Sequence, residues 1–166
     1  MDYFDWAREH LAKWKAGQRA TDTHWDRLTP RAIQVFALAH EEAKQMRLGY
    51  VGGEHLLLGG LKLGNGVAVN ALKELGLTVE NVREEIVKMS GERQVQNTFE
   101  YLPLTPRAKK ICRQAAKQAT AMNHTYVGIE HLLIGLLGES EGLAARIFQK
   151  INLDREKLRQ EILKDI

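Results

Sequence analysis

A 61-residue block that recurs without a gap sets the terms for what this chain can fold into. Leu28 to Lys88 aligns with Leu104 to Lys164 at a constant offset of 76 residues, with about 25 of the 61 positions identical. The match is carried by runs such as Thr29-Pro30-Arg31-Ala32 against Thr105-Pro106-Arg107-Ala108. It is carried again by Gly52-Gly53-Glu54-His55-Leu56-Leu57 against Gly128-Ile129-Glu130-His131-Leu132-Leu133. A repeat of this length exceeds the roughly 20–50-residue units of solenoids, so each copy reads as a small multi-helix unit packed on its twin. Any site built on one copy is expected to recur on the other.

Each copy parses into four helices. Thr29 and Thr105 are placed to accept from orphan amides as N-caps, and Pro30 and Pro106 follow where a missing N–H costs nothing. The first helices run through Arg31 to Arg47 and Arg107 to Asn123. Their apolar stripes, Ala32, Val35, Phe36, Ala39 and Ala43 or Ala108, Ile111, Cys112, Ala115 and Ala119, repeat at spacings of three and four. A turn then leads to a second helix opening at Glu54 or Glu130. That helix is apolar nearly all round, so it is expected at the centre of its copy. Glycine-containing loops precede third helices over Val67 to Leu75 and Leu143 to Ile151, stopped by Gly76 or Asn152. Thr78 and Asp154 cap fourth helices that turn Val82, Ile86 and Val87, or Leu158, Ile162 and Leu163, inward. The expected fold is all-α, with about eight helices in two pseudo-symmetric four-helix repeats.

The domain organisation that follows is an N-terminal extension over 1–27, a first repeat over 28–88, a polar linker over 89–103 and a second repeat over 104–166. The two repeats are expected to form one compact domain. In the extension, Tyr3, Phe4, Trp6, Ala7, Leu11 and Trp14 suit a helix with an aromatic side, tethered through Gly17 to Asp26. Those aromatics either dock on the body of the protein or serve as a docking peptide for a partner.

The single cysteine, Cys112, can close no internal disulfide, and no stretch reaches the roughly 18 apolar residues of a membrane span. A soluble, cytoplasmic protein without a membrane partner is the expectation. Net charge is +3 but unevenly placed. The first copy balances 7 Lys/Arg with 7 Asp/Glu, whereas the second carries 11 against 6, much of the excess in Arg107, Lys109, Lys110, Arg113 and Lys117. Such a stripe attracts anions or forms a solvated helix face. It lacks the interleaved aromatics of a single-strand binder, so nucleic acid is not the expected partner.

The pairing of a Thr-Pro-Arg-Ala start with a Tyr-Val-Gly-x-Glu-His-Leu-Leu-x-Gly segment about 25 residues later, found twice, resembles the Clp N-terminal (Clp repeat) domain of Hsp100 unfoldases, ClpC type. The resemblance implies a domain that recruits protein substrates and adaptor proteins in front of ATPase rings and delivers them to the unfoldase and the ClpP protease. It also implies a phosphoarginine site, whose family residues map onto Thr29 with Glu54 and Thr105 with Glu130. A carboxylate can take a guanidinium edge, and a capped helix start can take a phosphate. Arg107, Lys109 and Lys110 would add field for a dianion at the second site. Where the family usually carries threonine before the glutamate, this chain has Gly53 and Ile129. The competing view of Glu54 and Glu130 is that they complement the N-termini of their own helices.

A phosphate loop of the form G-x-x-x-x-G-K-[ST] is missing, as is any Ser/His/Asp or Cys/His constellation with distinctive context, so no enzyme activity and no cofactor are expected. His55 and His131 each follow a glutamate directly, which places the two side chains about 100° apart on a helix and suits no metal. Hydrogen-bonded, partly buried histidines are expected instead. The alternative function is a stand-alone regulatory subunit docking on a Clp unfoldase or on the ClpP core.

Overall fold

A computed structural model of the chain describes residues 3–16, 23–91 and 100–166. Among them are nine α-helices and a 3-10 turn over Thr23–Arg27, with no strand beyond two isolated bridges. The extension supplies α1 (Tyr3–Lys15). The first copy gives α2 (Pro30–Gln45), α3 (Gly53–Leu63), α4 (Val67–Glu74) and α5 (Val79–Ser90). The second gives α6 (Pro106–Ala121), α7 (Ile129–Leu137), α8 (Leu143–Lys150) and α9 (Arg155–Lys164).

The helix starts form where local chemistry supplies acceptors for orphan amides. Thr29 Oγ1 accepts from Ala32 N and Thr105 Oγ1 from Ala108 N, each at 3.1 Å. Thr78 and Asp154 do the same for Asn81 N and Lys157 N. Asn152 (φ 55°) and Gly76 (φ 92°) adopt the left-handed conformation that ends α8 and α4. The first-helix stripes are buried as the spacing requires, and so are Val82, Ile86, Leu158 and Ile162. Val87 is a correction. It is 55% exposed, because the residue beside Ile86 on a helix turns about 100° away from the buried line, and Leu163 is only partly covered for the same reason.

Helices α3 and α7 occupy the centre, with Leu56, Leu57, Leu58 and Leu61 or Leu132, Leu133, Ile134, Leu136 and Leu137 buried. Each fully buried leucine contributes about 1.5–3 kcal/mol relative to exposure. They lie unusually close to the first helices. A Cβ added at Gly59 would sit 2.4 Å from Val35 O, and one at Gly135 would sit 2.7 Å from Ile111 O. Only glycine permits that approach. Glu42 on α2 joins three helices of the first copy, accepting from Lys62 on α3 at 3.0 Å and Arg83 on α5 at 2.8 and 3.0 Å. Burial pushes its carboxyl up, but the Arg83 and Lys62 hydrogen bonds prevail and hold it below the usual carboxylate range.

The two copies are interlocked by reciprocal backbone bridges. Leu28 pairs with Val127, and its repeat-equivalent Leu104 pairs with Val51. Thr29 N donates to Val127 O (3.0 Å) and Val127 N to Arg27 O (2.8 Å). Thr105 N donates to Val51 O (3.0 Å) and Val51 N to Pro103 O (2.8 Å). The segment that starts the first helix of one copy is thereby fixed beside the turn that starts the second helix of the other.

The extension docks on this body. Trp6 and Trp14 of α1 are each 2% exposed and pack with Phe36 and His40 of α2 and with Trp25 of the 3-10 turn. Trp14 Nε1 donates to Leu102 O at 2.9 Å, while Leu102 N donates to His40 Nε2 at 3.2 Å. Both backbone groups of Leu102 are thus held by side chains. Trp6 and Trp14 of α1 face inward, as expected of the first of the two alternatives, in which the aromatics dock on the body of the protein. The tether expected over Gly17 to Asp26 contains the 3-10 turn, and its remainder over 17–22 lies outside the described residues, as do the side chains of Tyr3 and Phe4 and linker positions 92–99. No helix among the described residues is long and apolar enough to cross a membrane.

Candidate ligand-binding pocket

The interlocking decides where the candidate residues meet. Glu54 is the second residue of α3, directly after the turn that Val51 ties to Leu104 and Thr105. Glu54, Gly53 and Tyr50 of the first copy therefore line a pocket of about 930 Å³ whose opposite wall is Thr105, Arg107, Ile111, Glu139, Glu141 and Arg146 of the second. Glu54 thus shares this pocket with Thr105, whereas the resemblance grouped it with Thr29. The acid of one copy meets the capped helix start of the other, because the bridges run between copies. The counterpart arrangement follows the same rule: an added Cβ at Gly66 would lie 3.8 Å from both Arg31 Nη2 and Glu130 Oε1. Glu130 thus approaches Arg31, two residues after Thr29.

Glu54 is 7% exposed. Burial raises its carboxyl above the ordinary range, against its own backbone hydrogen bond and the Arg107 guanidinium, which both lower it. The carboxylate folds back over the start of α3: an added Cβ on Gly52 would stand 2.5 and 2.6 Å from its two oxygens. It therefore also serves its own helix N-terminus, where negative charge is favourable. The same carboxylate therefore borders the pocket and lies over the start of its own helix.

Gly53 has a packing role that sequence alone did not disclose. A Cβ there would meet Ile111 Cδ1 at 2.8 Å. At the 76-residue offset Gly53 corresponds to Ile129, and Ile111 to the smaller Val35.

Of the three expected anion-attracting cations, Arg107 lines the pocket. Lys110 reaches its edge through Glu139, at 3.6 Å, and Lys109 is not among the lining residues. Lys110, Arg113 and Lys117 are exposed, as a solvated helix face would be. The histidines are fully buried. Gly52 N donates to His55 Nδ1 at 3.0 Å and Gly128 N to His131 Nδ1 at 2.9 Å, which leaves the ring proton on Nε2. His131 Nε2 meets His124 Nδ1 at 2.9 Å, whereas His55 Nε2 is buried with no hydrogen-bond partner among the described residues. Leu48 stands where the second copy has His124. Burial lowers the His55 pKa to about 4, so the ring is neutral. Among the described residues no cluster of His, Cys, Asp and Glu could hold a metal.

Tyr50, Glu139, Glu141 and Arg146 were not expected as site residues from the sequence. The one signal available was the repeat itself: Glu141 is the 76-residue counterpart of Asn65, and each holds the arginine of its copy's Thr-Pro-Arg start. Arg107 Nη2 meets Glu141 Oε2 at 3.0 Å, and Arg31 Nη2 donates to Asn65 O at 2.8 Å.

These features define a pseudo-twofold, all-helical repeat domain with a charged pocket at the seam of its halves. Residues 27–151 and 104–166 match the Clp repeat (R) N-terminal domain, and the chain belongs to that family. It is 42% identical over 142 residues to the ATP-dependent Clp protease ATP-binding subunit ClpA homolog of Cyanidium caldarium, an alignment covering 86% of this chain and 16% of that protein. The chain spans about a sixth of the length of the curated relatives it matches. Its fold is similar to the N-terminal domain of the chaperone ClpD from Arabidopsis thaliana, with a TM-score of 0.69 at 22% identity, covering 89% of this chain and 98% of the other. It is also similar to the ClpV N-domain in its complex with a VipB peptide, with a TM-score of 0.63 at 18% identity, covering 84% and 89%.

Proposed function

We propose that this chain is a non-catalytic recognition module that captures protein substrates or adaptors for a Clp unfoldase of the ClpC type, and that its pocket takes phosphoarginine. The observation that carries this reading is the convergence of Glu54, Thr105 and Arg107 on one cavity. The buried carboxylate of Glu54 faces a guanidinium in a setting where a charge-assisted bond is strong. Arg107 and Arg146 supply positive charge for the phosphoryl group. Thr105 Oγ1 already accepts from Ala108 N, so its hydroxyl proton is directed to an outside acceptor. A ligand that is cationic at one end and anionic at the other is matched at both. Glu130 and Thr29 belong to the counterpart site, with Arg31 as its cation.

Family membership supports the recruiting role, and the ClpV N-domain is a relative in fold that has been seen with a peptide. The aromatic side of α1 is buried on the body, so the reading rests on the pocket rather than on the extension. A cytoplasmic setting belongs to the same proposal. Calorimetric titration with phosphoarginine tests it. Wild-type affinity in a chain carrying both Glu54→Ala and Glu130→Ala would remove the pocket from the account.

A further inference from the structure

Arg107, the cation best placed for a ligand anion, is already engaged. Its Nη2 lies 3.0 Å from Glu141 Oε2, and both side chains are largely solvent-exposed, at 53% and 76%. The loop that carries Glu141 is seated on the arginine: at Gly142, whose φ is +95°, an added Cβ would lie 3.1 Å from Arg107 Cδ. Two residues earlier, Glu139 is 5% exposed and faces Lys110 Nζ at 3.6 Å. One loop thus brings two acids against two cations of the α6 start.

The first copy shows that the arginine can be held without an acid. At the equivalent place Asn65, a neutral amide, accepts from Arg31 through both its side-chain and its backbone oxygen. Glu141 therefore adds a charge where a neutral acceptor would serve to position the side chain. An exposed ion pair of this kind is weak, whereas a phosphoryl group offers several charged oxygens to a guanidinium. A dianion can displace the carboxylate, at the cost of the pair it breaks.

We propose that Glu141 is a built-in competitor for the ligand anion, which holds down the affinity of the pocket and so favours release of what it has captured. This inference rests on the recognition reading above. Binding exchanges the Arg107–Glu141 pair for an Arg107–phosphoryl pair and turns Glu141 out to solvent.

The test is a double-mutant cycle with phosphoarginine as the probe, read by calorimetry on the full chain. Glu141→Gln is expected to bind roughly two- to five-fold more tightly than wild type, the range an exposed ion pair spans. The same substitution made together with Arg107→Gln is expected to give no gain over Arg107→Gln alone. A gain that persists without Arg107 would mean only that a nearby negative charge had been removed, and would overturn the competitor role. Wild-type or weaker affinity in Glu141→Gln would overturn it too and leave the recognition reading intact. Failure of both wild type and Glu141→Gln to bind phosphoarginine would remove the two together.

Discussion

Glu54 and Thr105 belong to different copies of the repeat, yet they line the same pocket. The contact is arranged by backbone, since Thr105 N donates to Val51 O three residues before Glu54. The acid and the capped helix start are therefore held in register by the same bridge that joins the halves.

Glu54→Ala is expected to weaken phosphoarginine binding about 10- to 100-fold, the range for losing one charge-assisted hydrogen bond. Burial outweighs the favourable helix-start contact of this carboxylate, so the substitution should lower stability by no more than about 1 kcal/mol. Calorimetry and urea unfolding on one preparation separate the two effects. A stability loss with unchanged binding would leave the residue as a helix cap alone.

Restoring the hydroxyl that the family usually carries should be harmful in this background. The Cβ of Gly53→Thr would press on Ile111 Cδ1 at 2.8 Å, and overpacking of this kind costs about 1–3 kcal/mol. Adding Ile111→Val, the residue found at the counterpart position Val35, should recover most of the loss. Denaturant midpoints of the single and double variants check the pair.

Trp14→Phe keeps the ring but removes the hydrogen bond to Leu102 O. Leaving that carbonyl unpaired should cost about 1–2 kcal/mol. Amide exchange should then accelerate in α1 and at Leu102, and leave the centre of α3 unchanged.

Stability should decline on mild acidification. Burial is the main cause that lowers His40 and His55 to pKa values of about 4, with His10 adding to the effect at His40. In the unfolded chain a histidine binds its proton near pH 6.5. The unfolded state therefore holds more protons between about pH 6.5 and 4, and linkage makes stability fall as pH drops through that window. Below it, protonation of Glu42, whose carboxyl is held low by Arg83 and Lys62, removes a further contribution. Melting temperatures from pH 7.5 to 4.5 should show the first decline, and a chain carrying His40→Leu should show less of it.

What could be read in the sequence was whatever local chemistry dictates. Thr29 and Thr105 announced their helix starts because capping needs only three neighbouring residues, and the leucines of α3 and α7 announced the core because they leave no polar face. The bearing of Glu54 could not be read that way. Its partner lies about 50 residues on, in the other copy, and a perfect repeat pairs equally well within copies or between them. Only the bridges at Leu28 and Leu104 choose. Val87 failed for a simpler reason, since α5 buries only a narrow line through Val82 and Ile86, and the next residue turns about 100° away from it.

The reciprocal bridges have the logic of an isologous interface, in which patch i meets patch j and patch j meets patch i. A single unit of this kind would complete its cavities only by self-association, and both would have to stay identical. Covalent tandem fusion lifts that constraint. Gly53 and Glu141 on one side, against Ile129 and Asn65 on the other, show two once-equivalent clefts already specialised along separate lines.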